Sequence, residues 1–208
     1  LTDEVTGITA AFAAMVALHS GVGQVVDVNL LTTIFQMMGP VISLFKLSGE
    51  LQPRLGSGLP YTIPRGVYQC VDGKWVGVSA SSDSVAARVM KILCLETDER
   101  FTTFAGRMEH RELLQDLMGK WCATRTRDEV VAIFEEAEAA VGPVFDMSDI
   151  ASDPHYAARN MIQTVGDTPM QGLIAELSKT PGVLHNEGRP IDADRDDITT
   201  HGWLNQSS

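Results

Sequence analysis

Residues 3–30 read DEVTGITAAFAAMVALHSGVGQVVDVNL, and the fold follows from how this stretch is parsed. Asp3 stands where a helix N-cap would, with a carboxylate able to accept first-turn N–H groups. Ala10, Ala11, Ala13, Ala14 and Ala17 form helix readily and carry little bulk, so other backbone can approach closely. Gly21 falls where a helix ends in a left-handed residue. Val25, Val26 and Val28 then predict an extended, largely buried strand over Gln24–Asn29. The same order, helix then turn then strand, disposes of a superficial motif. GVGQVV at Gly21 to Val26 has part of a dinucleotide loop's glycine spacing, but Val26 replaces the third glycine and the strand follows instead of preceding. A tight turn accounts for these residues.

Beyond Leu30, LLTTIFQMMGPVISLFKLSG has helical apolar spacing, with a kink expected at Gly39-Pro40; Met37 and Met38 read as fillers of core gaps. Leu51 to Gly66, LQPRLGSGLPYTIPRG, is rich in proline and glycine and marks a linker or active-site loop and a domain boundary. Val67 to Val71 and Lys74 to Ser79 flank Asp72-Gly73, a strong hairpin signal. Helices are predicted from an Asp83 cap to about Leu95, over Arg111–Ala123, and over Asp128–Glu138 with Thr126 as its cap. Val141–Phe145 reads as extended, Asp153-Pro154 as cap and first turn of a short helix, and Met161–Val165 and Gly172–Ala175 as strands. Pro181–Pro190 is irregular, and the tail from Asp192 is polar and weakly patterned. A small sheet covered by helices, an α+β subdomain over roughly 60–145, is the simplest assembly.

Composition narrows the function classes. The 208 residues carry 16 Lys and Arg against 27 Asp and Glu, a formal net charge of −11. Nucleic acid and anionic membrane are therefore not expected partners, since both need a positive face. No apolar run reaches the roughly 18 uninterrupted residues of a bilayer span, and no signal peptide is visible, so a cytoplasmic setting is the expectation. Cys70, Cys94 and Cys122 are odd in number and far apart, and they read as reduced thiols. The histidines at 19, 110, 155, 185 and 201 never fall at metal-ligand spacing, so no metal is expected. Arg54 and Arg65, in the Gly/Pro-rich loop, could meet a phosphate or a substrate carboxylate, or simply be solvated. Gly56 and Gly58 beside them would suit a mobile flap.

Read from the residues alone, Asp3 is a structural cap. A resemblance changes that reading. ALHSGVGQVVDVNL resembles the hallmark segment of the class III CoA-transferase family, which holds L-carnitine dehydratase and bile acid-inducible protein F types, formyl-CoA transferases and 2-methylacyl-CoA racemases. The D-x-x-x-G that opens this helix in the family matches Asp3 to Gly7. YQCVDGKW at Tyr68 to Trp75, Gly142-Pro143-Val144, Asp153-Pro154-His155 with Ala157-Ala158-Arg159, and Thr180-Pro181-Gly182 follow in the family's order, out to about Trp203.

The resemblance implies an α/β fold with an α+β small subdomain: the CoA-transferase family III fold lacking most of its N-terminal Rossmann-like large domain. Residues 1–50 would be a remnant of that large domain, 51–150 the small domain with an antiparallel sheet, and 151–208 a segment returning to the large domain. It implies Asp3 as catalytic nucleophile, an acyl-CoA thioester and a carboxylic acid acceptor as substrates, and no permanently bound cofactor. It also implies an interlocked homodimer. The basic residues that meet CoA would lie in preceding chain. Two other readings stay open. A racemase would need a second acid/base group shortly after the second hairpin strand, where Trp75-Val-Gly-Val-Ser-Ala leaves Ala80. A truncated piece would be inactive alone.

Overall fold

The computed structural model describes residues 1–202; Trp203, where the resemblance ends, lies outside the described residues. The chain divides into two compact units, 1–56 and 57–208.

In the first unit, α1 (Thr2–Ser20) ends as expected at Gly21, whose φ of 70° lets its amide reach the Leu18 carbonyl. Two expectations change. The helix starts at Thr2 with Leu1 in the cap position, so Asp3 lies inside the first turn and is not the N-cap. Residues 24–29 form no strand: among the described residues they pair with none, and Val25 is 92% exposed. Valine favours an extended conformation; only a neighbouring strand could make it a ladder. Asn29 then caps α2 (Leu30–Gln36) by accepting the Thr32 amide. The expected kink is a full break: Gly39 takes φ 61°, and α3 (Val41–Ser48) leaves at 71° to α2. Met37 and Met38 are exposed and fill no core gap. Thr33 is the one residue of this unit that is buried among those described. No single helix is long and apolar enough to cross a membrane among the described residues.

The second unit has a core of its own. β1 (Arg65–Gln69) and β2 (Trp75–Ser79) form the expected antiparallel hairpin, with Gln69 opposite Trp75 and Gly73 at φ 77° in the turn. After the connecting helices, β3 (Val141–Val144) adds antiparallel to β2, giving the order β1-β2-β3. The intervening elements are α4 (Asp83–Ile92), α5 (Phe104–Glu109), α6 (Arg111–Cys122) and α7 (Arg127–Glu136). Tyr68, Val76 and Val78 point inward from the strands to meet Val89, Leu114, Met118, Val130 and Phe134. Thr126 caps α7 through a reciprocal capping box with Glu129. The cap of α4 is Ser82, not Asp83: the Ser82 hydroxyl accepts the Val85 amide, and Asp83 accepts instead from buried Arg107.

A cluster of charges ties the far edge together. Arg127 donates to both oxygens of Asp149, at 2.6 and 2.9 Å, and lies 5.6 Å from the Phe145 ring centre. Lys74 reaches Asp149 at 3.2 Å, and Asp72 accepts the Arg127 amide. The hairpin turn, the start of α7 and α8 (Met147–Ser152) are thereby joined. Asp153 then caps α9 (Pro154–Ala158) as read from the sequence. β4 (Ile162–Val165) pairs with β5 (Thr168–Gln171), so the second strand precedes the expected Gly172–Ala175, because Gly166-Asp167 closes a two-residue turn. Residues 181–190 are irregular, and α10 (Arg195–His201) occupies part of the tail whose polar sequence gave no helical pattern.

Two stability outcomes follow from this packing. Phe134 is fully buried, and Phe134→Ala should cost about 3–5 kcal/mol in chemical denaturation through the lost apolar contact and the cavity left. The Arg127 guanidinium holds the Asp149 carboxyl well below the usual carboxylate range. A carboxyl depressed in the folded state stabilises above its unfolded pKa of about 3.9 and loses that contribution as pH falls. The Tm deficit of Asp149→Asn against wild type should thus be constant from neutral pH to about pH 5 and shrink below about pH 4.

Candidate functional site

Asp3 is an exposed residue in the first turn of α1, where Leu1 supplies no side-chain cap. The first-turn amides favour a negative charge at this end, and Asp3, the second helical residue and two positions past Leu1, is exposed to solvent. The position one turn on is Gly7, where an added Cβ would meet nothing within 4 Å. Residues four apart share a helix face, so the next position along the Asp3 face carries no side chain. Thr6 and Thr9 turn their hydroxyls back to the carbonyls of Thr2 and Val5, at 2.8 and 2.7 Å, and so do not compete for the Asp3 carboxylate.

Two hollows of the first unit border other surfaces of α1. Val5 and Thr9 face a hollow shared with Asp27, Thr33 and Gln36, about 200° and 240° around the helix from Asp3 at 100° per residue. Ala14, Ala17 and Leu18 line a groove with Val22, Gly23 and Val26 on the returning segment. Asp3 belongs to neither hollow.

The other residues singled out by sequence scatter. Arg54 is exposed in the first unit, whereas Arg65 is half-buried on β1 in the second, its Nη1 donating to the Ser79 hydroxyl at 3.3 Å. His19 ends α1, and His155 is exposed on α9. Among the described residues no three His, Cys, Asp or Glu side chains converge as metal ligands. Ala80 is buried at the end of β2 and offers no titratable group. Sequence reading missed the buried guanidiniums of Arg107 and Arg127. For Arg127 the available signal was the D-x-x-D spacing of Asp146 and Asp149, a capping box whose second carboxylate also serves the arginine.

With this geometry established, comparison with known proteins is decisive for the family. The model for CoA-transferase family III matches residues 1–194. The chain belongs to CoA-transferase family III. It is 33% identical over 192 residues to a succinyl-CoA–D-citramalate CoA-transferase of Chloroflexus aurantiacus, covering 86% of this chain and 48% of that protein. The alpha subunit of a succinyl-CoA–L-malate CoA-transferase from the same organism is 27% identical, with 92% and 47% covered. Among solved structures, a CAIB/BAIF family protein from Brucella suis matches with a TM-score of 0.77 at 21% identity, covering 94% of this chain and 53% of that one. The fold is thus that of the CaiB/BaiF proteins, and the chain spans about half the length of the relatives it matches.

The cysteines of this family III chain differ sharply in environment. Cys94 is exposed, while Cys70 and Cys122 are buried and burial pushes the Cys122 thiol up to about 12. Native protein at pH 8 should therefore incorporate one iodoacetamide equivalent at Cys94, read by peptide mass spectrometry, with Cys122 labelled only after denaturation.

Proposed function

We propose that this chain carries the nucleophile of an acyl-CoA:carboxylic acid CoA-transferase, and that the nucleophile is Asp3. The observation that carries the reading is an exposed carboxylate in the first turn of a helix that has no side-chain cap, with a glycine four residues on, in a family III chain. A carboxylate attacks through a lone pair it already carries and, unlike a hydroxyl or thiol nucleophile, needs no neighbouring base to activate it.

The steps balance as follows. The Asp3 carboxylate attacks the thioester carbonyl of an acyl-CoA; the C–S bond breaks, leaving a mixed anhydride and CoA thiolate. The thiolate attacks the Asp3 carbonyl carbon and expels the donor as its carboxylate, leaving an aspartyl-CoA thioester. The acceptor carboxylate then attacks that thioester, forming a new anhydride and releasing thiolate again. Thiolate attack on the acceptor's acyl carbon yields the product thioester and returns Asp3. No proton need be moved and no water consumed, so the free energy of the thioester is kept. Coenzyme A enters as substrate, with no permanently bound cofactor.

The substrates we infer are succinyl-CoA or a similar dicarboxylic thioester and a dicarboxylic acid acceptor, as in the similar citramalate and malate transferases. Ala80 speaks against racemisation, because a proton shuttle at that position needs a titratable side chain. The reaction belongs to a longer polypeptide that supplies the remaining large-domain half and the CoA contacts, with residues 1–50 joining that domain; the isolated chain would be inactive. The uncovered apolar side chains of α1, α2 and α3 support an interlocked homodimer in which further polypeptide covers them. Three free cysteines accord with a cytoplasmic setting.

The test is covalent capture. The complete protein incubated with succinyl-CoA should yield a CoA adduct on the Asp3 peptide. Asp3→Ala and Asp3→Asn should lose that adduct and at least about a thousandfold in transfer rate while retaining wild-type circular dichroism. An adduct on another residue, or turnover surviving in Asp3→Ala, would remove Asp3 from the role.

A further inference from the structure

The three-stranded sheet is covered by helices on one face only. Its other face carries Arg65, Val67 and Gln69 from β1, Trp75, Gly77 and Ser79 from β2, and Gly142 and Val144 from β3, as the register requires. Two features of this face are unexplained by the fold.

The first is its floor. Gly77 pairs directly with Gly142, so two neighbouring strands lack side chains at the same level. Neither glycine has a positive φ, and neither is crowded: an added Cβ on Gly142 would meet nothing within 4 Å, and one on Gly77 would meet only the Gly142 carbonyl oxygen, at 3.8 Å. Backbone strain and internal packing both leave room for larger residues. Glycine inside a strand without such a cause marks a place where something outside approaches the backbone. The side chains around the glycine pair are apolar and open to solvent: Val67, Trp75 and Val144 are 41, 42 and 43% exposed.

The second is Arg65, on the same face and one same-face pair further along from Val67 and Gly77. Its cross-strand partner is Ser79, whose hydroxyl takes one Nη1 hydrogen bond at 3.3 Å, while its own carbonyl is fixed by the Gln115 amide at 2.9 Å. In a chain with 27 acidic residues to 16 basic ones, no carboxylate among the described residues forms an ion pair with this half-buried guanidinium. Its remaining donors keep the planar fork that suits a carboxylate.

We infer that this open sheet face is a substrate site for a short acyl chain ending in a free carboxylate, with Arg65 as the residue that selects dicarboxylic over monocarboxylic acids. The inference rests on the transferase reading above. The glycine floor admits the methylenes, the valines and Trp75 flank them, and Arg65, steadied by Ser79, takes the terminal carboxylate. All of these residues lie within the second unit.

The experiment compares succinate with butyrate, which has the same chain length without the second carboxylate, as CoA acceptors for the complete protein. Arg65→Ala should raise KM for succinate about tenfold or more, the worth of a charge-assisted hydrogen bond, and leave KM for butyrate unchanged. Arg65→Lys, which keeps the charge without the fork, should recover part of the loss. Gly142→Val, for which the fold has room, should raise KM for both acids at an unchanged Tm. If Arg65→Ala affects the two acids equally, or neither, the selectivity role is wrong while the transferase reading stands. If wild-type protein transfers CoA to no acid, the transferase reading falls and takes this site with it. Should Arg65→Ala fail to fold, Arg65→Lys and Ser79→Ala decide by the same succinate-to-butyrate ratio.

Discussion

One-sided burial of the three-stranded sheet is the constraint on which the second unit depends. Val76 and Val78 on β2, with Tyr68 on β1, bury one face against Leu114, Met118, Val130 and Phe134, all fully enclosed. Each strand position therefore has a fixed choice of side, and a one-residue slip would exchange the apolar set for Trp75, Gly77 and Ser79. The Asp72-Gly73 turn pins that register at one end, and the Arg127–Asp149 pair, reached also by Lys74, ties the turn to the segment leaving β3. The face left open is consequently not accidental surface: its composition is set by the same alternation that builds the core.

The first unit obeys a different logic. A helix of 19 residues with alanine along much of its length can form locally, but it is held in proteins by what covers it. Phe12, Val16, Leu31 and Leu47 stand exposed, and Thr33 alone is buried among the unit's described residues. Its organisation is therefore local: caps at Asn29, left-handed glycines at 21, 39 and 49, and the return past Ala14 and Ala17. The candidate nucleophile sits on this locally determined element. That suits a group proposed to act through its carboxylate alone, which needs an unobstructed approach more than a built pocket.

Legibility differs between the two units. Asp3 could be picked out because a family pattern, D-x-x-x-G, fixes its identity and spacing; its exposure needed coordinates. The reading of Asp3 as a cap erred by two positions, since cap geometry depends on φ and ψ rather than on residue preference alone. Arg65 was visible only as one of two loop arginines. Its place on a strand, its bond to Ser79 and the paired glycines beside it depend on register between segments more than ten residues apart.

What the sequence by itself determined was local and periodic: the α1 helix and its Gly21 stop, an interruption at Gly39-Pro40 though not its sharpness, the Asp-Gly hairpin, the Thr126 and Asp153 caps, and family membership. Each rests on preferences acting within a few residues or on a pattern that survives without coordinates. Only the tertiary structure decided that residues 24–29 remain unpaired, that Ser82 caps α4 and frees Asp83 for Arg107, that Arg127 and Asp149 meet, and that Gly77 lies opposite Gly142. Those outcomes turn on which distant groups are brought within bonding distance, and a one-dimensional pattern does not encode that distance.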